Sequence, residues 1–374
     1  GGSATTSLTG AFNVSSNTHV EIAEGATVLG STDGEAWPLV SAYALLPQFG
    51  PVFGEGYQMH QAMVFSWNAR NVSFGGGGTV DCNANFDTWW KCADNLNLAP
   101  CNGHARGFCF FLFNVTGVVM EDLHVQNSPG WTLHFNNVTN LRVRRVNVTN
   151  PQHAPNTDGI DVSSCQDVIV EDSSFSTGDD ALCVKSGKDY FGRLWHMPSR
   201  DIIFRRIRIG TGHGISVGSE MSGDIANVTF EDIDMRRTGC GVRIKSQRGR
   251  GGVVSDVVYR NITMSDILSE CIQVTSHYHE LEPTNATATP VFQNILLENV
   301  HCDSAKNSFR LQGLPEQKIV GLELRNVTFA ESVGPEAVCA DSECTCDPVT
   351  NRCPSCCHPA ARGALEDARQ ALLI

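Results

Sequence analysis

The sequence predicts an all-β protein: a single-stranded right-handed parallel β-helix with a short Cys-rich C-terminal tail. Three observations lead there. An eight-residue pattern recurs along most of the chain, a second pattern of strict alternation falls between its copies, and the 3.6-residue period of a helical solenoid is missing.

The first pattern is apolar at positions one, three, six and eight. It runs VVMEDLHV from Val118, LRVRRVNV from Leu141, VIVEDSSF from Val168 and IIFRRIRI from Ile202. It continues as VTFEDIDM from Val228, VVYRNITM from Val257, ILLENVHC from Ile295 and LELRNVTF from Leu322, with Ser173 the one departure. Successive starts are 23, 27, 34, 26, 29, 38 and 27 residues apart, so the longer intervals mark coils with loop insertions. The second pattern is GIDVSS from Gly159, ALCVKS from Ala181, GISVGS from Gly214 and GVRIKS from Gly241. CIQVTS from Cys271 and SFRLQG from Ser308 continue it, and WTLHFN from Trp131 is a looser member. Its alternation is that of a strand with one buried face. Two short strands per repeat of roughly 25 residues make one solenoid coil, with like positions stacked about 4.8 Å apart. A leucine-rich repeat would show its own leucine spacing, and a β-sandwich would not hold one register through seven copies.

Residues 1–35 and 71–82 supply the opening coils, and Gly75–Gly78 is a tight turn with no Lys-Ser/Thr after it to make a phosphate loop. Residues 83–107 form a loop insertion, with Cys82, Cys92 and Cys101 around a Trp89-Trp90 pair. The division expected is a β-helix domain over 1–335 and a tail over 336–374, where Pro359–Leu373 forms a short helix.

Fifteen cysteines, six of them between Cys339 and Cys357, and nine N-x-S/T sequons point to a secreted, disulfide-bonded chain, with at least one thiol unpaired. The sequons are at Asn13, Asn71, Asn114, Asn137, Asn147, Asn227, Asn261, Asn285 and Asn326. Recurrence of N-V-T has a second source: asparagine serves the bend of the coil and valine its core. The chain begins Gly-Gly-Ser without methionine or an apolar leader, which fits a processed form. No apolar run approaches the ~20 residues of a membrane span. A net charge of −13 argues against binding nucleic acid through bulk positive charge. A monomer without nucleic-acid or membrane partners is expected.

Aligning the second pattern gathers charged residues. Asp158, Asp180 and His213 each precede its first position in three consecutive copies, with Asp179 one residue further back. Lys185, Arg243 and Lys245 take outward positions. Three carboxylates within two coils repel one another, so at least one should hold a proton near neutral pH while another ionises. Such a pair on opposite sides of a bond is what hydrolysis of a glycoside requires. Parity stands against it, since strict alternation turns Asp158 and Asp180 inward unless the backbone bends where the strand begins. Gly178 permits a bend. The alternative is that these acids bind turn amides or a calcium ion.

Four tripeptides occur in order on these aligned positions: N-T-D at Asn156–Asp158, G-D-D at Gly178–Asp180, G-H-G at Gly212–Gly214 and R-I-K at Arg243–Lys245. In this the chain resembles glycoside hydrolase family 28, the polygalacturonases and their pectin-degrading relatives, over about residues 10–330. The resemblance implies a pectin-lyase-like solenoid and an inverting hydrolase of α-1,4-galacturonosidic linkages in pectin, without a metal or other cofactor. It implies Asp179 as general acid, Asp158 and Asp180 as the pair that positions and deprotonates water, and His213 as the residue that tunes the acid. Arg243 and Lys245 would grip a substrate carboxylate, and Asn156 and Tyr278 would contact sugar. G-S-E-M-S-G at Gly218–Gly223 and R-G-R-G-G at Arg248–Gly252 resemble the exo-acting, plant-like branch, located outside the cell or in its wall. The cysteine that often follows the two aspartates is Ala181 here, and Cys183 is left as a free outward thiol.

Lys185, Arg243, Lys245, Arg248 and Arg250 could form a positive strip for a pectic polyanion within an acidic molecule, or the last two could face solvent. The clustered C-terminal cysteines suit disulfides better than zinc, and His277 and His279 lack a zinc-protease arrangement. Trp131 and His134 line a sugar site or pack in the core. Gly187-Lys188 lacks the spacing of a Walker loop. Rival readings are a rhamnogalacturonan or xylogalacturonan hydrolase, a calcium-dependent pectate lyase, and a catalytically silent carbohydrate-binding solenoid.

Overall fold

The structure, a computed structural model, describes residues 5–50, 56–278 and 287–360. Two long parallel sheets, one of 16 strands and one of 11, wind together into a right-handed parallel β-helix. The first pattern supplies the larger sheet and the second the smaller. Inward residues fall into columns: Leu133, Ile160, Leu182, Ile215, Val242 and Ile272 are register partners in sequence, all buried. In the larger sheet Phe204, Phe230 and Tyr259 stack nearly parallel at centroid distances of 4.9 and 5.0 Å.

The spacing one, three, six, eight has a backbone cause. The fifth residue of every copy (Asp122, Arg145, Asp172, Arg206, Asp232, Asn261, Asn299, Asn326) has φ between 51° and 55°. A left-handed residue turns the strand at a corner, so the inward phase shifts by one position there. Asparagine and aspartate tolerate that conformation better than other side chains. Six sequon asparagines also sit at positive φ, namely Asn71, Asn114, Asn137, Asn227, Asn261 and Asn326.

Beside the corner the charge alternates from coil to coil. Position four carries Glu121, Arg144, Glu171, Arg205, Glu231, Arg260, Glu298 and Arg325 in succession. Arg144 reaches Glu121 at 2.9 Å, Arg205 reaches Glu171 at 2.7 Å and Arg260 reaches Glu298 at 2.8 Å. Each exposed pair is weak, but a slip of one coil would set like charges side by side.

Coiling continues beyond residue 335. Val338–Ala340 extends the smaller sheet, Ser342–Cys346 the larger, and Cys357–Pro359 pairs with the latter. Disulfides Cys339–Cys356, Cys344–Cys357 and Cys346–Cys353 tie this last turn together. Pro359 thus ends a strand, and the remainder of the expected helix lies outside the described residues, as do His279 and Asn285. Cys271–Cys302 joins two coils, and Cys82–Cys109 and Cys92–Cys101 hold the 83–107 insertion. Trp89 and Trp90 are buried rather than displayed, with Trp90 Nε1 donating to Ser128 O at 2.8 Å. Cys165, Cys183 and Cys240 are unpaired and buried. No helix among the described residues is long and apolar enough to cross a membrane.

Phe230→Ala should cost about 3–5 kcal/mol, because it opens a cavity in the middle of an aromatic stack. Arg206→Glu should cost much less, and its loss should shrink as salt rises. Denaturant titrations at two ionic strengths check both.

Candidate active site

The smaller sheet presents two outward columns. Asp161, Cys183, Ser216, Arg243 and Gln273 form one, and Ser163, Lys185, Gly218, Lys245 and Thr275 the other. Just ahead of these strands the backbone bends, which resolves the parity problem. Asn156 has φ 55°, and the turn before Asp180 is held by Thr177 Oγ1 donating to Asp179 O at 2.7 Å. Gly178 is required by close approach, since a Cβ there would lie 2.1 Å from Ala154 O. Asp180 therefore swings over the outward face instead of into the core.

There Asp180 accepts from Arg243 Nη2, from Lys245 Nζ at 2.7 Å and from Ser216 Oγ at 2.9 Å. Asp179 lies above it, its side chain 24% exposed, with its Oδ1 2.8 Å from His213 Nδ1. His213 Nδ1 is 3.9 Å from Asp180 Oδ1, so the imidazole bridges the two acids. Lys185 is enclosed: its Nζ lies 3.3 Å from Glu220, 3.4 Å from Asp161, 3.8 Å from Asp158 and 4.8 Å above the Trp131 ring. Lys245 lies 4.9 Å over the ring of Tyr278. All nine residues expected at the site are therefore drawn to one face, where Arg106 Nη2 holds Asn156 by donating to its Oδ1 at 2.7 Å.

The environments separate the acids. Burial opposes ionisation of Asp180, but Arg243, Lys245 and Lys185 overcome it and hold that carboxyl well below its usual range. Burial pushes Asp158 well up, and the charges of Asp161 and Asp179 add to this. Burial also pushes Asp161 up to about 7, against the pull of Lys185. Burial opposes the charge of Lys185, yet its anionic neighbours keep its proton on. Glu220 is brought down to about 2, because Lys185, Arg250 and Lys245 outweigh its burial. Two groups of ligand-type atoms are compact, Asp158–Asp161–Cys183 and Asp179–Asp180–His213. A divalent ion at either would meet Lys185, or Arg243 and Lys245, at close range, so these cations already fill the role expected of calcium.

Several expectations need revision. The positive strip is not a free one. Arg248 pairs with Glu316 at 2.6 Å, and buried Arg250 pairs with Asp189 at 3.1 Å and Glu220 at 3.5 Å. Lys185, expected at an outward position, is only 5% exposed and clamped by three carboxylates, and Arg243 at 10% and Lys245 at 4% are as enclosed. Cys183 is free and on the outward face, but it is covered, and burial pushes its thiol well up. His134 is buried on the outward column of Asp161, packed against Phe108, Phe111 and Trp131, with its Nε2 3.3 Å from Ser163 Oγ. Sequence reasoning misses two participants. Asp161 stands two residues into GIDVSS, on the same aligned column as Arg243, so the alignment already contains it. Glu220 lies inside G-S-E-M-S-G but outside any repeat column, so only the fold brings it in.

A pocket of about 400 Å³ adjoins these residues on the side of the earlier coils. Its walls come from Ala42–Gly50 and from the 83–107 insertion, and Trp131, Asn156 and Glu220 border it. Most of this lining comes from segments that belong to no repeat.

The model of the glycosyl hydrolases family 28 matches residues 53–357. The chain belongs to this family. A probable polygalacturonase of Vitis vinifera is 30% identical over 86% of this chain, and polygalacturonase-2 of Solanum lycopersicum is 27% identical over 75%. The chain spans 65% and 58% of the length of these two relatives. The exopolygalacturonase of Thermotoga maritima has the same fold, with a TM-score of 0.78 at 23% identity over 91% of this chain and 81% of that one. The family match ends within the last disulfide-tied turn.

The folded pKa of Asp161 lies above its ordinary value of 3.8. An acid raised in this way stabilises the fold at acid pH and ceases to do so as pH climbs to about 7. Asp161→Asn copies the protonated form. Variant and wild type should therefore melt alike near pH 4. By about pH 7.5 the variant should be a few kcal/mol more stable, a tenfold change in proton affinity being worth about 1.4 kcal/mol. Melting curves across that range check it, and a difference independent of pH would contradict the assignment.

Proposed function

We propose that this family 28 chain is a secreted pectin hydrolase, a polygalacturonase-type enzyme that cleaves α-1,4-galacturonosidic linkages with inversion and works from the chain end. One observation carries the reading: Asp179 is the partly exposed acid, hydrogen-bonded to His213, directly above an Asp180 that two buried cations keep ionised. Asp179 then gives its proton to the glycosidic oxygen as the C1–O bond breaks. Asp180, helped by Asp158, takes a proton from the water that forms the new C1–OH bond on the opposite face. His213 holds Asp179 in orientation. Arg243 and Lys245 have two tasks: they keep Asp180 charged and, with Tyr278, they meet the substrate carboxylate. Lys185 acts first through the carboxylates it holds. Asn156, exposed at the pocket border, contacts the sugar.

The added walls from Ala42–Gly50 and the 83–107 insertion support exo action, because segments outside the repeats narrow the groove toward a chain terminus. Six disulfides support an oxidising, extracellular setting such as a cell wall.

Asp179→Asn should lower turnover of oligogalacturonate by about 10²–10⁴-fold while the circular dichroism spectrum stays unchanged. NMR of the first product should reveal the β-anomer, and chromatography should reveal monomer alone. Wild-type turnover in the variant would remove Asp179 from the mechanism. A ladder of oligomers would replace exo with endo action, and inertness toward homogalacturonan would favour a rhamnogalacturonan or xylogalacturonan substrate.

A further inference from the structure

Arg106 belongs to the 83–107 insertion, outside every repeat, yet its side chain reaches the turns of two successive coils. Nη1 donates to Pro129 O and to Pro155 O at 2.8 Å each, and Nη2 donates to Asn156 Oδ1 at 2.7 Å. Pro129 stands two residues before Trp131, and Asn156 two residues before Asp158. One planar, forked group therefore spans the turn that leads to the indole under Lys185 and the turn that leads to a candidate acid.

The guanidinium is held from behind. Ala105 O accepts from His60 N at 3.0 Å, and a Cβ on Gly107 would lie 2.4 Å from Gln61 O. Disulfides Cys92–Cys101 and Cys82–Cys109 close the insertion on either side of it. Thr132 N donates to Asp158 O at 2.9 Å, so a shift of one turn passes to the other. The bond to Asn156 also fixes which way that amide faces. A guanidinium only donates, so the amide oxygen is the atom turned to Arg106, and Asn156 offers a ligand at the pocket border the two hydrogens of Nδ2.

We infer that Arg106 is a positioning residue: it sets Trp131 and Asp158 relative to each other and makes Asn156 a hydrogen-bond donor to an acceptor oxygen of the bound sugar. This deepens the proposed hydrolase reading, on which its kinetic consequence rests, by giving the insertion a part in the geometry of the site as well as in its wall.

Two measurements test it. Hydrogen exchange is followed without substrate in wild type, Arg106→Met, Arg106→Lys and Asn156→Asp, and kcat and KM are measured on oligogalacturonate. Arg106→Met should speed exchange by about tenfold or more in peptides spanning 128–133 and 154–160, while the coils beyond residue 290 exchange as in wild type. Its kcat should fall about 10²-fold, because a small displacement of a reacting group is enough for that. Arg106→Lys should show both effects, since one ammonium cannot serve three acceptors in two turns, and it carries both measurements if Arg106→Met does not fold. Asn156→Asp keeps an acceptor for Arg106 but loses the donors, so exchange in both turns should stay as in wild type and KM should rise about tenfold or more. Wild-type exchange in both turns or wild-type kcat in Arg106→Met, or full recovery of kcat in Arg106→Lys, would overturn the inference. A wild-type KM in Asn156→Asp would overturn the donor role. Faster exchange in both turns, in a protein that hydrolyses no galacturonide, would end the hydrolase reading and leave the positioning in place.

Discussion

Stacking coils in register at about 4.8 Å brings each side chain against its equivalent one coil away, and the chain's composition has to answer that contact. Inside, the answer is like on like: Phe204, Phe230 and Tyr259 lie face to face, and aliphatic columns fill the rest. Outside, like on like would be repulsive, so glutamate and arginine take turns at the fourth position from Glu121 to Arg325. The same register that makes a core makes a site. Asp161, Arg243 and their neighbours are far apart in sequence and share one column because the coils cannot slide.

The outward face of the smaller sheet holds four buried cations, Lys185, Arg243, Lys245 and Arg250, and five buried or partly buried acids, Asp158, Asp161, Asp179, Asp180 and Glu220. Burying so many charges is tolerable only if they are paired, and the cost falls on whichever acid is paired least well. Asp180 has three donors and ionises. Asp158 and Asp161 compete for Lys185, which Glu220 also holds, so this pair retains a proton.

Coil architecture and the candidate acids are legible because repeats encode both: one alignment yields the columns, and the residues before each column follow. Asp161 is equally legible, since the position inside the pattern faces outward just as the bend makes the one ahead of it do. The fate of Lys185 is not legible. An outward position on a strand reads as exposed, and only Trp131, Glu220 and the walls around the pocket convert it to a buried one. Those walls, from Ala42–Gly50 and the 83–107 insertion, carry no periodicity, so repeats locate the loops without shaping them. Parity fails as an argument because alternation holds within a strand, whereas Asn156 and Gly178 lie in the turns that precede one.

The recurring Asn-x-Ser/Thr triplets follow from the corner geometry. At a left-handed corner asparagine is favoured, the next residue must point inward and is therefore valine or isoleucine, and the one after returns to the surface of a strand, where threonine is favoured. The asparagine amides then ladder across coils. Asn137 donates to Asn114 at 3.1 Å, Asn114 to Asn68 at 2.7 Å, Asn326 to Asn299 at 2.8 Å and Asn299 to Asn261 at 3.2 Å. Six of the nine triplets are at such corners, so their number measures coils and carries little weight as a sign of glycan addition. Inference about the compartment rests instead on the disulfides, which the coil geometry does not demand: most coils stack without one.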